Sequence, residues 1–565
     1  MPAILHANIA LLICLLLAGR AAQAAGPGVP AAPNLPNAGS MLQQAQAGPP
    51  VVAAPPSPRL SVQEKPVAPA APGIAFRVNA ITITGNTSID TDQLHALVRD
   101  AEGQDLTLAA IGELLARITD CYQRQGFPLA RAILPGQTLV AGVLQVQVIE
   151  ARYGAVVLVN RTTLRDALLR SALTGIQSGQ VVQQAPLDHA LLSLSDIPGV
   201  LVQATMKPGS YAGATDLELV ATASSDGLAG NSVVDNHGNR YAGRTRIGQS
   251  LRWIDPFKQQ AGATLDFNGL SAGQGLNYGR VAYETLLTGA VTRVGGSYSA
   301  LQYALVGLLA ASESRGDAQV GQVWARRSLL RSHTSNLYAL VQYDNTRLSD
   351  RSGADIDSRR HTDKVTASLT GEVQDGRWFG AVNNWGLSLL SGVVGFDNAA
   401  AQLADAGHAA GRFTKVGGNF SRLQKLNSID SLYAALSLQW ASRKLDPSEK
   451  MAIGGPGSLR AADAGALSGD LGALLNLEYR HSLGAARGGS WQLTAFMDSA
   501  IVRLNKTALG PNENQVQLNG AGVGLAWFGP KQIFAKAQLA RLLGTASPAG
   551  ATASWRAWVE IAQAF

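Results

Sequence analysis

The 565-residue chain has two cysteines, and one of them, Cys14, falls in its first two dozen residues. Beyond that segment Cys121 stands alone, so no internal disulfide can form and stability has to come from burial and hydrogen bonding. Beyond residue 24 no run of about 18 apolar residues occurs, which excludes a membrane-spanning helix. Charge is also thin, at 15% of residues, and the net +7 is spread without a Lys/Arg cluster. Nucleic acid is therefore not an expected partner, and the charge reads as a solvated or pore-lining surface. The eight histidines include no pair at metal-ligand spacing, and "GQGLNYG" lacks the helix and acidic residue of a dinucleotide site, so no metal or other cofactor is expected. One catalytic pattern does occur. "GLSAG", Gly269 to Gly273, has the spacing of a nucleophile elbow, but both flanks alternate as strands, so it reads as a hairpin loop and not as an enzyme's site.

What is present begins with an apolar run, Ile9 to Ala18, and a small-residue exit, Ala22-Gln23-Ala24, the pattern of a secretory signal peptide over 1–24. Its leading residues carry only His6 in place of Lys or Arg, and no lipobox precedes Cys14. Residues 25–73 hold half of the chain's 24 prolines among Ala and Gly, the composition of an extended linker. Within it "NAGSMLQQAQAG", Asn37 to Gly48, has no proline and ends on glycine, which predicts a short helix, either inert or able to occupy a lumen reversibly.

Two strand and helix units follow, at 74–150 and 151–223. In the first, "FRVNAITITG" alternates as a strand and Ile111, Leu114, Leu115, Ile118 and Tyr122 recur at helical spacing. Cys121 lies on that apolar face and reads as core. Gly126 and Pro128 stop the helix before the strand "GVLQVQVIE". The second unit runs "YGAVVLVN", two helical stretches, "GVLVQATM" and "TDLELVATA".

From 224 to 565 the period changes to two, in 16 alternating runs such as "RIGQSLRWI", "SLYAALSLQW" and the closing "SWRAWVEIAQAF". Most suit the roughly 9 to 11 residues that cross a bilayer as a tilted strand. Prolines such as Pro256, Pro456, Pro511, Pro530 and Pro548 fall between the runs, as a continuous ladder requires. Connections alternate between short ("LLTGAV", "KLNSID", "FGPKQ") and long ("SDRSGADIDSRR", "FDNAAAQLADAGHAAG"), as periplasmic turns and extracellular loops do. Every backbone group in lipid must be paired within the protein, so the fold class is a closed transmembrane β-barrel of 16 antiparallel strands preceded by two small α+β domains. Trp253, Trp440 and Trp527 suit an interfacial girdle, and Trp555, Val559, Ile561 and Phe565 share one face of the last strand, suited to lipid.

This order of parts resembles the two-partner secretion outer-membrane transporters, the hemolysin and filamentous hemagglutinin secretion/activation proteins. The resemblance rests on "LARAILPGQTLVAGVLQVQVIEARYG", "LSDIPGVLVQATMKPGSYAGATDLELV", "VVDNHGNRYAGRTR", "SEKMAIGGPGSLRAADAG" and the terminal aromatic, and covers essentially the whole chain after residue 24. It implies two polypeptide-transport-associated (POTRA) domains in the periplasm and a barrel in the outer membrane of a Gram-negative bacterium, inserted by the barrel-assembly machinery. It implies secretion, with or without activation, of one large exoprotein bearing an N-terminal secretion domain, of hemolysin, adhesin or contact-dependent toxin type. In such proteins the sixth extracellular loop folds back into the barrel, and its Val-Arg-Gly-aromatic tip pairs an arginine with an aspartate on strand thirteen. By position these are Arg460 and Asp498, the latter two residues after Phe496, with Gly454 and Gly455 permitting the loop's turn. The motif here reads Leu459-Arg460-Ala461-Ala462, which lacks the aromatic and leads to the expectation of a tip held less firmly. The alternatives are a barrel-assembly factor of the same superfamily, which usually carries more POTRA domains, and a passive porin, which needs none.

Overall fold

The computed structural model describes residues 36–46, 59–62 and 75–565, the last without 225–226, 259, 288–290, 354–355, 406, 487, 511–513 and 545–554. The expected signal peptide and most of the linker lie outside the described residues.

Among the described residues sixteen strands close into a barrel, from Leu228–Asp235 to Trp555–Ala564. Each pairs antiparallel with its sequence neighbour, and the first closes on the last through Asn231–Asp235 and Glu560–Ala564. Alternation places Val234, Ile247, Val281, Val323, Leu387, Leu438 and Val523 on the exposed outer face, while their sequence neighbours line the lumen. A barrel of this strand number leaves an aqueous interior unless something fills it.

One expected loop is largely strand. "SDRSGADIDSRR" belongs to Ser335–Ser352 and Ile356–Asp375, whose ladder still pairs Asp350 with Ser358 and Arg351 with Asp357. These strands outrun the bilayer, and above it neither face needs to be apolar, so alternation vanishes while backbone pairing continues. "FDNAAAQLADAGHAAG" does form a connection, with a short helix Ala399–Ala404 capped by the Asn398 side chain.

The first periplasmic unit splits its leading strand. Phe76–Val78 pairs with Gln104–Leu106, whereas Ala80–Thr84 pairs parallel with Val143–Ile149. The helix Leu108–Arg124 is capped by Thr107 and buries Ile111, Leu114, Ile118, Cys121 and Tyr122 against that sheet. Glu150 closes the unit: its carboxylate accepts from the backbone N–H of Thr87 and Ser88 at 2.7 Å each, from both their hydroxyls, and from the Tyr122 hydroxyl at 2.9 Å. Burial alone would raise its pKa, but these five donors win and hold it at about 2.

The second unit orders its strands Val200–Pro208, Ala214–Ala223 and Arg152–Arg161, with helix Gln184–Ser195 packed on one face. Its docking on the barrel is specific. Arg331 clasps the Asp196 carboxylate at 2.7 and 2.9 Å, Arg293 bonds the Asp196 carbonyl, and Leu286 joins the unit's apolar core.

Candidate functional site in the barrel lumen

The connection between Asp430–Ala441 and Leu471–Ala486 is the sixth extracellular loop, and it folds inward. A small hairpin, Met451–Ile453 with Leu467–Gly469, carries its tip into the lumen. Gly454 sits at φ 109°, and a Cβ there would lie 2.0 Å from the Asp463 carbonyl oxygen, so only glycine makes this turn. Leu459, Arg460, Ala461 and Ala462 are all buried at the tip.

Arg460 faces Asp498 on the thirteenth strand, Gly489–Arg503, as position suggested. The guanidinium Nε donates to Oδ2 at 3.0 Å and Nη2 to Oδ1 at 2.6 Å, while the Arg460 backbone N–H adds a bond at 2.9 Å. This is a bidentate fork at a carboxylate with 0% exposure. Three partners escaped the sequence reading. Glu478, on the twelfth strand, accepts from Nη1 of Arg460 at 2.5 Å and is itself held by Arg480. Asn476 bridges Asp498 and the Ser458 carbonyl at 2.8 Å each. Trp558 of the last strand donates its indole N–H to the Arg460 carbonyl at 2.7 Å. Lumen-facing residues recur at every second position of sixteen strands, so only the stagger of the closed sheet tells which of them meet.

The loop tip has no aromatic of its own, and the wall sets one beside the arginine. The Phe496 ring lies 3.6 Å below the Arg460 guanidinium carbon, so the cation is stacked as well as paired. Small residues on the fourteenth strand make the space: a Cβ on Gly520 would lie 2.5 Å from that of Ala461, and one on Gly522 would strike the Phe496 ring. Further along the loop, Asp463 receives Arg556 at 2.9 Å, Arg244 at 3.3 Å and Arg240 at 3.6 Å. At its root, Glu449 sits between Lys364 at 2.6 Å and Lys415 at 2.8 Å.

The linker helix, Ala38–Gln46, lies inside the barrel beside the loop. Asn37 caps it, exchanging bonds of 3.0 Å with Ser40. Ala38, Met41 and Leu42 pack against Leu276, Leu301, Tyr303 and Val320 of the wall. Its polar contacts with the described residues are few: the Ala38 N–H donates to Asp350 at 2.7 Å, Gln43 reaches the carbonyls of Ser448 and Lys450, and Gln44 accepts from Asn239. A cavity of about 150 Å³ remains between helix, loop and last strand, edged by Gln43, Arg240, Lys450 and Arg556. Asp350 also holds Arg360, which forms an ion pair with Asp446 at the loop's root, so one ion chain ties the helix's first turn to the loop.

Of the other residues singled out, Trp555, Val559, Ile561 and Phe565 all point outward and are about half exposed. The Phe565 ring lies over Gly230 of the first strand. Ser271 ends a strand, and its hydroxyl bonds Asn277 across a tight hairpin; no helix follows it, as the hairpin reading expected.

Comparison with known proteins agrees with this architecture. Residues 76–151 match the model for the ShlB-type POTRA domain, and residues 213–527 match that for haemolysin secretion/activation protein ShlB/FhaC/HecB. The heme/hemopexin transporter protein HuxB of Haemophilus influenzae is 24% identical over 477 residues, 80% of this chain and 81% of that protein. The outer membrane transporter CdiB of Escherichia coli is 23% identical over 438 residues, covering 73% and 70% respectively. A solved structure of CdiB from Escherichia coli superposes with a TM-score of 0.66 at 20% identity, over 90% of this chain and 94% of that one.

Proposed function

The chain belongs to the haemolysin secretion/activation protein family, a two-partner secretion transporter of the outer membrane with its POTRA region in the periplasm, and from that premise we propose how its parts divide the work. Residues 74–150 and 151–223 are the two POTRA domains, which capture one large unfolded exoprotein as it reaches the periplasm. A sheet edge takes an extended segment by strand addition, with affinity that depends little on sequence. Residues 224–565 are the barrel that conducts it, inserted by the barrel-assembly machinery and sealed against lipid by Trp555, Val559, Ile561 and Phe565. The Arg460–Asp498 pair is the latch of the inward loop, with Gly454 and Gly455 as its turn and Leu459, Ala461 and Ala462 as its packed tip. The helix Ala38–Gln46 is the plug, and 1–24 is a signal removed on export.

The observation that carries this reading is the filled lumen. A passive pore has no use for a tethered helix whose polar contacts are few, beside a loop whose tip is pinned by buried ions. No chemical step is assigned to the chain: among the described residues Ser271 sits in a hairpin with its hydroxyl on Asn277, and net movement follows from folding of the exoprotein outside, which blocks return. The test is a mass-spectrometric comparison of culture supernatant and outer membrane from cells with and without the chain. Loss of a single large extracellular protein, with the outer-membrane proteome unchanged, is the expected result. Depletion of many barrel proteins would assign the chain to barrel assembly instead.

A further inference from the structure

The barrel end that bears the sixth loop carries its charge differently on its two sides. On the seventh and eighth strands, Ser335–Ser352 and Ile356–Asp375, the outward face interleaves both signs: Arg351 and Arg359 share Asp357, and His361 holds Asp397 at 2.6 Å. Such a ladder neutralises itself and needs only water. Across the ring, the outer ends of the thirteenth to fifteenth strands show cations alone among the described residues. Arg503 is the last residue of the thirteenth strand, Lys506 follows in its loop, and Arg541 lies two residues from the end of the fifteenth, Ile533–Leu543. Alternation puts Arg503 on the face of the exposed Leu493 and Met497, and Arg541 on that of the exposed Leu539, so both point away from the lumen. The carboxylates at this end, Asp446, Glu449, Asp463, Asp470 and Asp498, are all buried, and Glu513 lies outside the described residues.

Two of these three cations lie on tryptophans. The Lys506 ammonium sits 4.6 Å from the Trp440 ring centre, and the Arg541 guanidinium 5.6 Å from that of Trp555. Trp440 is one residue from the end of the eleventh strand and Trp555 begins the sixteenth, and both are about half exposed. Indoles at strand ends mark the level of the lipid head groups, so the cations stand at that level. Among the described residues no carboxylate pairs with Arg503, Lys506 or Arg541, and an exposed ring is a weak substitute for an anion. Below them Leu438, Met497, Leu539 and Val559 form an apolar wall, also about half exposed. Unpaired cations above an apolar wall fit a ligand with anions at one end and acyl chains at the other.

We propose that this face binds a phosphorylated glycolipid of the outer leaflet, of the lipid A type. Its phosphates meet Arg503, Lys506 and Arg541, its sugars lie against Trp440 and Trp555, and its acyl chains cover the wall beneath. An arginine offers a fork that fits phosphate oxygens, and the bond gains strength where one side of the site is lipid. Lys506 is held ready for this role, because its backbone N–H donates to Asp470 at 2.7 Å, at the end of the inward loop. Charge selects the occupant. A zwitterionic phospholipid brings an ammonium beside its phosphate, whereas lipid A brings phosphates without a cation, which suits a face with no exposed carboxylate among its described residues. The inference depends on the outer-membrane location and not on which protein is secreted.

The experiment uses the full chain purified in detergent, with native mass spectrometry to titrate bound lipid. Lipid A carrying its phosphates is the probe, and dephosphorylated lipid A and phosphatidylglycerol are the comparisons. The unmodified chain is expected to bind lipid A at least tenfold more tightly than either. Arg503→Gln with Lys506→Gln and Arg541→Gln should abolish that preference, while Arg351→Gln with Arg359→Gln across the ring should keep it. Heat-modifiable mobility reports whether each barrel is folded, and the comparison of lipids on the unmodified chain decides the matter even if a variant is not. Equal affinity for lipid A and either comparison lipid, or an equal loss in both variants, would overturn the proposal. Loss of exoprotein export in the triple variant with lipid A binding unchanged would overturn it too, and would give this face to the exoprotein.

Discussion

Two segments fill the same lumen by opposite means. The sixth loop is held by charge: Arg460 by two carboxylates and a stacked ring, Asp463 by three arginines, Glu449 by two lysines. The helix Ala38–Gln46 is held by a few apolar side chains, one N–H to Asp350 and two glutamines. Breaking a buried ion pair leaves an uncompensated charge, whereas withdrawing a neutral helix leaves groups that water satisfies. The difference teaches which part is built to stay and which to go: the loop requires a concerted shift, and the helix requires only a competing gain elsewhere.

The strongest way to break the comparison is at the latch. Arg460→Ala strands Asp498 with Asn476 as its side-chain partner and should lower secretion at least tenfold. Removing one member of a fully buried pair costs about 3 to 5 kcal/mol, less where the lumen is wet. Asp498→Ala should be milder, because Glu478 still pairs the arginine at 2.5 Å. The double variant should match Arg460→Ala, since the Arg460–Asp498 pair and the Arg460–Glu478 pair are both already lost there. Losses that add in this cycle, read from exoprotein in the supernatant, would mean that the two residues act separately.

Next in size is the helix. Deleting residues 37–48 should raise single-channel conductance several-fold while the barrel keeps its heat-modifiable mobility. The space it vacates is bounded by Leu276, Tyr303 and Val320, none of which depends on it for backbone pairing. Unchanged conductance would mean that the loop alone seals the pore, and the contrast between a fixed and a removable segment would fail.

How far these contacts were legible in the sequence follows the same division. Period-two alternation announces the barrel because each strand has one lipid face, and it fails at Ser349–Arg360, where strands rise past the bilayer and no face is apolar. Arg460 and Asp498 were visible through resemblance, yet Glu478, Asn476 and Trp558 were not. They come from the twelfth and sixteenth strands, and register across a closed sheet is not written locally. The helix was visible as a proline-free window, and its place in the lumen only as one of two readings, because nine residues cannot say what they pack against. The strand Arg59–Val62, which pairs with Val200–Pro208, left no signal beyond Pro58 and Pro66 on either side of it.

A smaller change sharpens the latch itself. The tip lacks a loop aromatic, and the Phe496 ring stacks on the guanidinium from the wall. Phe496→Leu keeps an apolar side chain and removes the π face, a loss of about 1 kcal/mol or more where water is excluded. The expected outcome is a secretion defect of a few-fold, well short of that for Arg460→Ala. Equal defects would make the ring, and not the carboxylates, the main restraint.

The smallest effect on the comparison comes from outside the lumen. Glu150 is a buried carboxylate held by neutral donors, the chemistry of the helix's contacts applied to a charge. Its pKa falls from an ordinary 4.5 to about 2, so the stabilisation it gives is complete above pH about 4.5 and fades as the pH drops through that window toward 2. The folded state binds its proton less readily than the unfolded state, so lowering the pH favours unfolding, by an amount on the order of 2 to 3 kcal/mol across the window. Glu150→Gln should lower the melting temperature of the periplasmic region at pH 7 and flatten its dependence between pH 5 and 2.5. Because the partners of Glu150 among the described residues all belong to its own unit, conductance at neutral pH should stay at the wild-type value. A conductance change in this variant would show that the periplasmic region sets the state of the plug even without a partner, and the line drawn between a fixed loop and a freely competing helix would have to include the first POTRA domain.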